Sequence, residues 1–224
     1  MILNTIVTES VDEFASILEK VPAEEFNDAL QNLLKEVIIR HRRIIFNGDN
    51  YSAAWVEEAK RRGLPNTPGV IEALKPLKSE SSLKLFQKYG VLHASEVNSR
   101  HDVFVEEYHR KIRIEGEVAL EMARSQIYPA VLAEYSKAAA AYNAAKSTGL
   151  ACGVSALEKT VSQLGTGLDQ LSFGCRNLEE ALHDTHEHII EAHDALRSVI
   201  DSLELIVDDS AWPLPKYREM LFVY

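Results

Sequence analysis

Apolar side chains in the first half of the chain recur at intervals of three and four, in short runs separated by turn residues. Leu3, Ile6, Val7, Phe14, Ile17 and Leu18 mark one face of a first helix. Pro22 stands where a first helical turn tolerates a missing N–H, and Glu24 and Glu25 suit the positive end of a second helix. That helix carries Phe26, Leu30, Leu33, Leu34, Val37, Ile38, His41 and Ile45 on its stripe and stops at Asn47-Gly48-Asp49-Asn50. Ser52 is placed to cap a short helix that closes on Lys60-Arg61-Arg62-Gly63, cations ahead of a left-handed glycine. Two further short pieces are predicted, one after Thr67-Pro68 and one from Ser82 to Gly90. No segment alternates with period two for long enough to form a strand.

The second half is patterned differently. Between about Ser95 and Ser147 the only strong interruption is Pro129, and Phe104, Tyr108, Ile112, Ala119, Met122 and Ile127 form a single stripe. About fifty residues at 1.5 Å each give a rod of roughly 75 Å. Pro129 has no N–H for the carbonyl of Ser125 and should bend the rod there. Gly116 costs about 1 kcal/mol against Ala in a helix, which predicts close packing against a neighbour. Gly149 and Gly153 end the rod, and Ser155 with Glu158 reads as a capping box for the next helix. Leu157, Val161, Leu164, Leu168, Leu171, Cys175, Leu178, Leu182, Thr185, Ile189, Ala192, Leu196, Val199, Leu203 and Ile206 then follow at alternating spacings of four and three, a heptad seam. The expected fold is all-α: a bundle of short helices over about 1–92, then a long antiparallel helical hairpin over about 95–207. Gly165, Gly167 and Gly174 are the points at which the returning limb would divide in two.

Composition narrows the function classes. A net charge of −10 without a long basic stripe excludes nucleic acid as a natural partner. No apolar run approaches the roughly 20 residues needed to span a bilayer, and Met1-Ile2-Leu3-Asn4-Thr5 lacks the marks of a signal peptide. Cys152 and Cys175 offer no disulfide framework, so a cytoplasmic location is expected. There is no phosphate-binding glycine loop and no Cys-x-x-Cys pair. No catalytic or cofactor-binding residue is predicted. The one constellation with ligand chemistry is Glu179, His183, His186 and Glu187, whose offsets of four, seven and eight put them near one helical face. His188 and His193 lie close by, and His109 on the outgoing limb is a loose addition. A solvated face of the heptad limb explains the same residues without a metal. Arg40, His41, Arg42 and Arg43 form the compact basic cluster, suited to a helix C-terminus or to an acidic or phosphate-bearing partner. Trp55 reads as a core anchor among the short helices. Trp212, with Pro213 and Pro215, reads as a terminal clamp that packs back on the helices or as a contact to a neighbouring subunit.

Several runs resemble the C-terminal part of type III glutamine synthetases. They are Arg43-Ile44-Ile45-Phe46-Asn47-Gly48-Asp49-Asn50-Tyr51-Ser52, then Glu58-Ala59-Lys60-Arg61-Arg62-Gly63-Leu64-Pro65-Asn66, then Lys88-Tyr89-Gly90-Val91-Leu92 followed by Glu96-Val97-Asn98-Ser99-Arg100. Ile112-Arg113-Ile114-Glu115, Ile127-Tyr128-Pro129-Ala130 and Trp212-Pro213-Leu214-Pro215-Lys216-Tyr217 continue the series in order. The resemblance implies a parent enzyme that joins ammonia to glutamate with ATP and Mg or Mn. It implies that residues 1–92 resemble the end of the catalytic part and that 93–224 form the hairpin with its Trp/Pro tail. The family's metal- and phosphate-binding residues lie upstream of the matching region, so none maps onto this chain, which alone is expected to be inactive. A homo-oligomer or a glutamine synthetase catalytic chain is the implied partner. A standalone helical interaction module and a metal-binding bundle are the alternatives.

Overall fold

The computed structural model describes residues 1–149, 152–215 and 217–221, apart from the side chains of Tyr217 and Arg218. Among them every regular element is helical, as the periodicity requires. The chain divides into two compact units, Met1–Glu106 and Glu107–Tyr224.

The first unit holds α1 (Ile2–Leu18), α2 (Phe26–Arg40), a 3-10 turn at Arg42–Ile44, α3 (Ala53–Arg61), α4 (Val70–Leu74) and α5 (Glu80–Lys88), and α6 (Ala94–Met122) begins in it. Its local signals are those of the sequence. The Ser52 hydroxyl accepts from the Trp55 N–H, and Gly63 is left-handed, letting the Leu64 N–H reach back to the Ala59 carbonyl. Gly90 ends α5 the same way, through Val91 to Phe86. The buried core is small: Phe86, Leu92 and Val97, with Leu77, Leu83 and Val91 against them.

The packing of α1 inverts the usual order. Its buried residue is Thr5 and Phe14 and Leu18 are half-buried, while Leu3 (71 % exposed), Ile6, Val7, Val11 and Ile17 face outward. What ties α1 to α5 is polar. The Tyr89 hydroxyl shares its one proton between Glu9 at 2.5 Å and Asp12 at 2.7 Å, and Lys88 Nζ lies 2.8 Å and 3.0 Å from the same two carboxylates. Desolvation, and then the bond to Glu9, push the Tyr89 phenol up to about 12, so it stays a donor. Leu34, Ile38 and Ile39 of α2 are exposed as well.

The second unit is built around one continuous core. It contains the end of α6, a π turn at Ala123–Ile127, α7 (Tyr128–Ser147), α8 (Val154–Ala181), α9 (His186–Glu204) and a last short helix, α10 (Tyr217–Met220). The π turn answers the missing N–H of Pro129: the helix widens, and the Tyr128 N–H bonds to the Ala123 carbonyl five residues back. Left-handed Gly149 and Gly153 reverse the chain between α7 and α8. The capping box does not form. Gly153 is the residue before α8 and no side chain caps it, because the helix starts early enough to place Ser155 inside its first turn.

The returning limb is two helices, and the division falls at none of the glycines. After Ala181 the chain tightens through His183 N–H to Glu180 O and Asp184 N–H to Ala181 O, and α9 starts afresh behind Thr185. It then doubles back. Gly167 faces Leu203 and Gly174 faces Leu196, so one register falls by seven as the other rises by seven, the mark of antiparallel packing. The glycines bring α8 and α9 close rather than breaking them. A Cβ on Gly116 would stand 3.0 Å from both Ile189 Cγ2 and Leu182 Cδ2, the close packing its helix position predicts.

The heptad seam keeps its phase across the division. Leu164, Leu171, Leu178, Ile189, Leu196 and Leu203 are all buried, and Thr185, at the turn, is exposed. Both helices present the seam to the same core, which also takes Leu120, Ala123, Ile127 and Val131. Each fully buried Leu contributes about 1.5–3 kcal/mol of transfer free energy. Phe104, placed at the head of the outgoing stripe, is instead 42 % exposed.

Candidate functional site

The four candidate metal ligands do not share a face, because the break at 182–185 falls among them. Glu179, still on α8, takes a bidentate pair from Arg124 of the π turn, with Nη1 to Oε1 at 2.9 Å and Nη2 to Oε2 at 2.5 Å. Bonding from Arg124 holds its carboxyl below the ordinary range. His183 sits in the turn. His186 and Glu187 open α9, with His186 Nε2 3.0 Å from Glu187 Oε1. The His186 ring stacks on His109 at 4.4 Å between centroids, and Tyr108 meets it edge-on at 5.6 Å. So His109 does approach this segment, by stacking. His188 is committed elsewhere, with Nδ1 2.7 Å from Asp184 Oδ2, and that bond raises its pKa. Among the described residues no three His, Cys, Asp or Glu side chains converge as metal ligands.

Trp212 packs back on its own unit. It is 7 % exposed, belongs to the core, and its indole N–H has no hydrogen-bond partner among the described residues. Trp55 stacks on Phe46 at 4.4 Å, and the Arg62 guanidinium lies over both rings, at 5.6 Å and 5.9 Å. Trp55 is half-buried and lies in neither core, so it anchors the segment between α2 and α3 through Phe46 and Arg62 rather than as a core residue.

The basic cluster gains members that lie apart in the sequence. Arg40 leaves it, lying 3.8 Å from Glu13. Arg42 and Arg43, in the 3-10 turn, instead join Arg61 and Arg62 from the end of α3, with Ile45 and Asn47, around a cleft of about 420 Å³. Arg62 builds this arrangement. Its Nη1 donates to the carbonyls of Arg43 (3.2 Å) and Ile45 (2.8 Å), and its Nε to Glu58 at 2.6 Å. Arg61 grips the same Glu58 through Nε (2.7 Å) and Nη2 (2.6 Å). Bonds from Arg61 and then Arg62 pull the Glu58 carboxyl down to about 2, so it stays ionised. In the sequence the two basic pairs stand at the ends of successive helices, with the Asn47–Tyr51 turn and the whole of α3 between them.

The family model of the glutamine synthetase C-terminal domain matches residues 29–146, which run from α2 to the end of α7. A type-3 glutamine synthetase of Dictyostelium discoideum is 35 % identical over 144 residues, covering 64 % of this chain and 20 % of its own length. Glutamine synthetases of Butyrivibrio fibrisolvens and Bacteroides fragilis are each 33 % identical, over 54 % and 57 % of this chain and 18 % of their own length. The chain thus spans about a fifth of the relatives it matches. With residues 29–146, over half of the chain, matched by its model, the chain belongs to the glutamine synthetase C-terminal domain family.

Proposed function

We propose that this chain is a non-catalytic, cytoplasmic part of an enzyme that ligates ammonia to glutamate with ATP and Mg or Mn. Its work is to pack against the catalytic part and to build contacts in a homo-oligomer. On this reading residues 1–92 are the end of the catalytic part and 93–224 the helical region with its Trp/Pro tail. The observation that carries the proposal is the inverted α1. A helix that buries Thr5 and turns Leu3, Ile6, Val7, Val11 and Ile17 outward leaves an apolar stripe that water does not stabilise. Leu34 and Ile38 of α2 are exposed in the same unit. The relatives are about five times longer than the matched segment, which leaves ample chain to supply the surface that such a stripe needs.

The test pairs this chain with the catalytic portion of a type-3 glutamine synthetase truncated ahead of the matching region. Co-elution in gel filtration is expected for the native chain. Loss of co-elution is expected for Leu3→Asp combined with Val7→Asp, whose sites are exposed and whose helicity by circular dichroism should be unchanged. Equal binding by native and doubly substituted chains would refute the assignment of the surface. Formation of γ-glutamyl hydroxamate by the chain alone, from glutamate, ATP and hydroxylamine, would refute its non-catalytic status.

A further inference from the structure

We infer that the cleft between the 3-10 turn and the end of α3 is a binding site for the phosphoryl group of a small phosphorylated molecule. Four guanidiniums line it, and one carboxylate, Glu58, is bonded to two of them. The simplest competing role for these arginines is to neutralise the C-termini of α2 and α3, each worth roughly half a negative charge. Four positive charges less Glu58 and the two helix ends leave an excess of about two. That matches a phosphate monoester dianion. It also stands out on a chain of net charge −10, whose remoter acids are screened beyond about 8 Å at physiological salt.

The division of labour among the four supports a site. Arg62 is spent on structure, tying α3 to the carbonyls of Arg43 and Ile45, and so fixes the cleft before any ligand arrives. Arg61 uses Nε and one N–H of Nη2 on Glu58 and keeps further donors. The Arg42 and Arg43 guanidiniums have no hydrogen bond or ion pair to a described residue. Asn47 adds a neutral amide and Ile45 an apolar wall. Planar guanidinium forks at the edge of this cleft suit bidentate contact with phosphate oxygens.

The experiment is isothermal titration of the full chain with inorganic phosphate, a nucleoside monophosphate and, as a carboxylate control, malonate, at constant ionic strength. Saturable binding of one phosphate-bearing probe per chain is expected. Equal affinity for phosphate and nucleotide would assign the site to the free ion, and tighter nucleotide binding to an esterified phosphate. Arg42→Ala and Arg43→Ala should each weaken binding by about ten-fold or more, the loss of one charge-assisted contact. Arg42→Lys should recover part of it, and Arg40→Ala, outside the cleft, should leave the affinity unchanged. Absence of saturable binding, malonate binding as tightly as phosphate, or an undiminished affinity in both alanine variants would overturn the inference.

Discussion

Two glycines of α8, two positions apart, should respond to alanine with opposite signs. In an ordinary helix Gly→Ala stabilises by about 1 kcal/mol, since alanine loses less backbone entropy on folding. At Gly165 nothing opposes that gain: the nearest atom to a new Cβ is Tyr135 Cε2 at 3.4 Å, an ordinary contact. At Gly167 the same methyl would overlap Leu203 Cδ2 and lie 3.2 Å from its Cγ. Leu203 is 2 % exposed and belongs to the core, so it can yield only by shifting against its neighbours. Overpacking of this kind costs about 1–3 kcal/mol, so the net effect of Gly167→Ala is a loss of about 1 kcal/mol. The two variants should therefore differ by about 2 kcal/mol, or about 4–8 °C in melting temperature for a chain of this size. Thermal and urea unfolding followed by circular dichroism read both quantities. If Gly167→Ala stabilised as much as Gly165→Ala, α8 and α9 would not be in contact there, and the doubled-back return would be wrong.

Burial and ion pairing in the second unit set two further outcomes. Leu196→Asp places a charge at a site 1 % exposed and should cost about 4 kcal/mol or more, whereas Leu168→Asp, at a half-buried position, should cost about 1–2 kcal/mol; equal losses in urea titration would contradict the observed burial. The His188–Asp184 pair should titrate as a unit. The bond to Asp184 raises the His188 pKa above 6.5, so its contribution is complete below 6.5 and fades as pH rises through the raised value. Asp184, held below 3.8 chiefly by His188, loses its share as pH falls through its own lowered pKa. Proton NMR of the imidazole should show the His188 midpoint drop in Asp184→Asn, and an unchanged midpoint would remove the pair.

The arginine cleft shows why a site can be half-legible. Arg42 and Arg43 are visible in the sequence as a basic cluster, and Arg61 and Arg62 as cations at a helix end. Only the turn through Asn47–Tyr51, with the Asp49 carboxylate accepting from the Tyr51 N–H and Phe46 stacked on Trp55, brings the two pairs to one opening. The four metal candidates went the other way. Their spacing is sound for a continuous helix, and the chain is not one there.

Spacing of three and four residues is enough to make this protein helical, because that period admits no strand. Most helix ends are equally local, since a left-handed glycine, a serine cap or a proline acts within a few residues of its own position. The reversal at Gly149 and Gly153 is legible for the same reason, whereas the cost of Gly116 in a helix announces close packing without saying that Leu182 and Ile189 supply it. The direction of the returning limb is not. A heptad seam records which residues are buried, not what buries them, and Leu157 to Ile206 reads identically as one long helix or as two that share a core. The Thr185 start, with Glu187 in its first turn, is a local signal hidden by a seam that stays in phase across it. Long-range packing likewise settles that α1 turns its apolar stripe outward, because amphipathicity requires a face to be covered while the covering surface lies elsewhere.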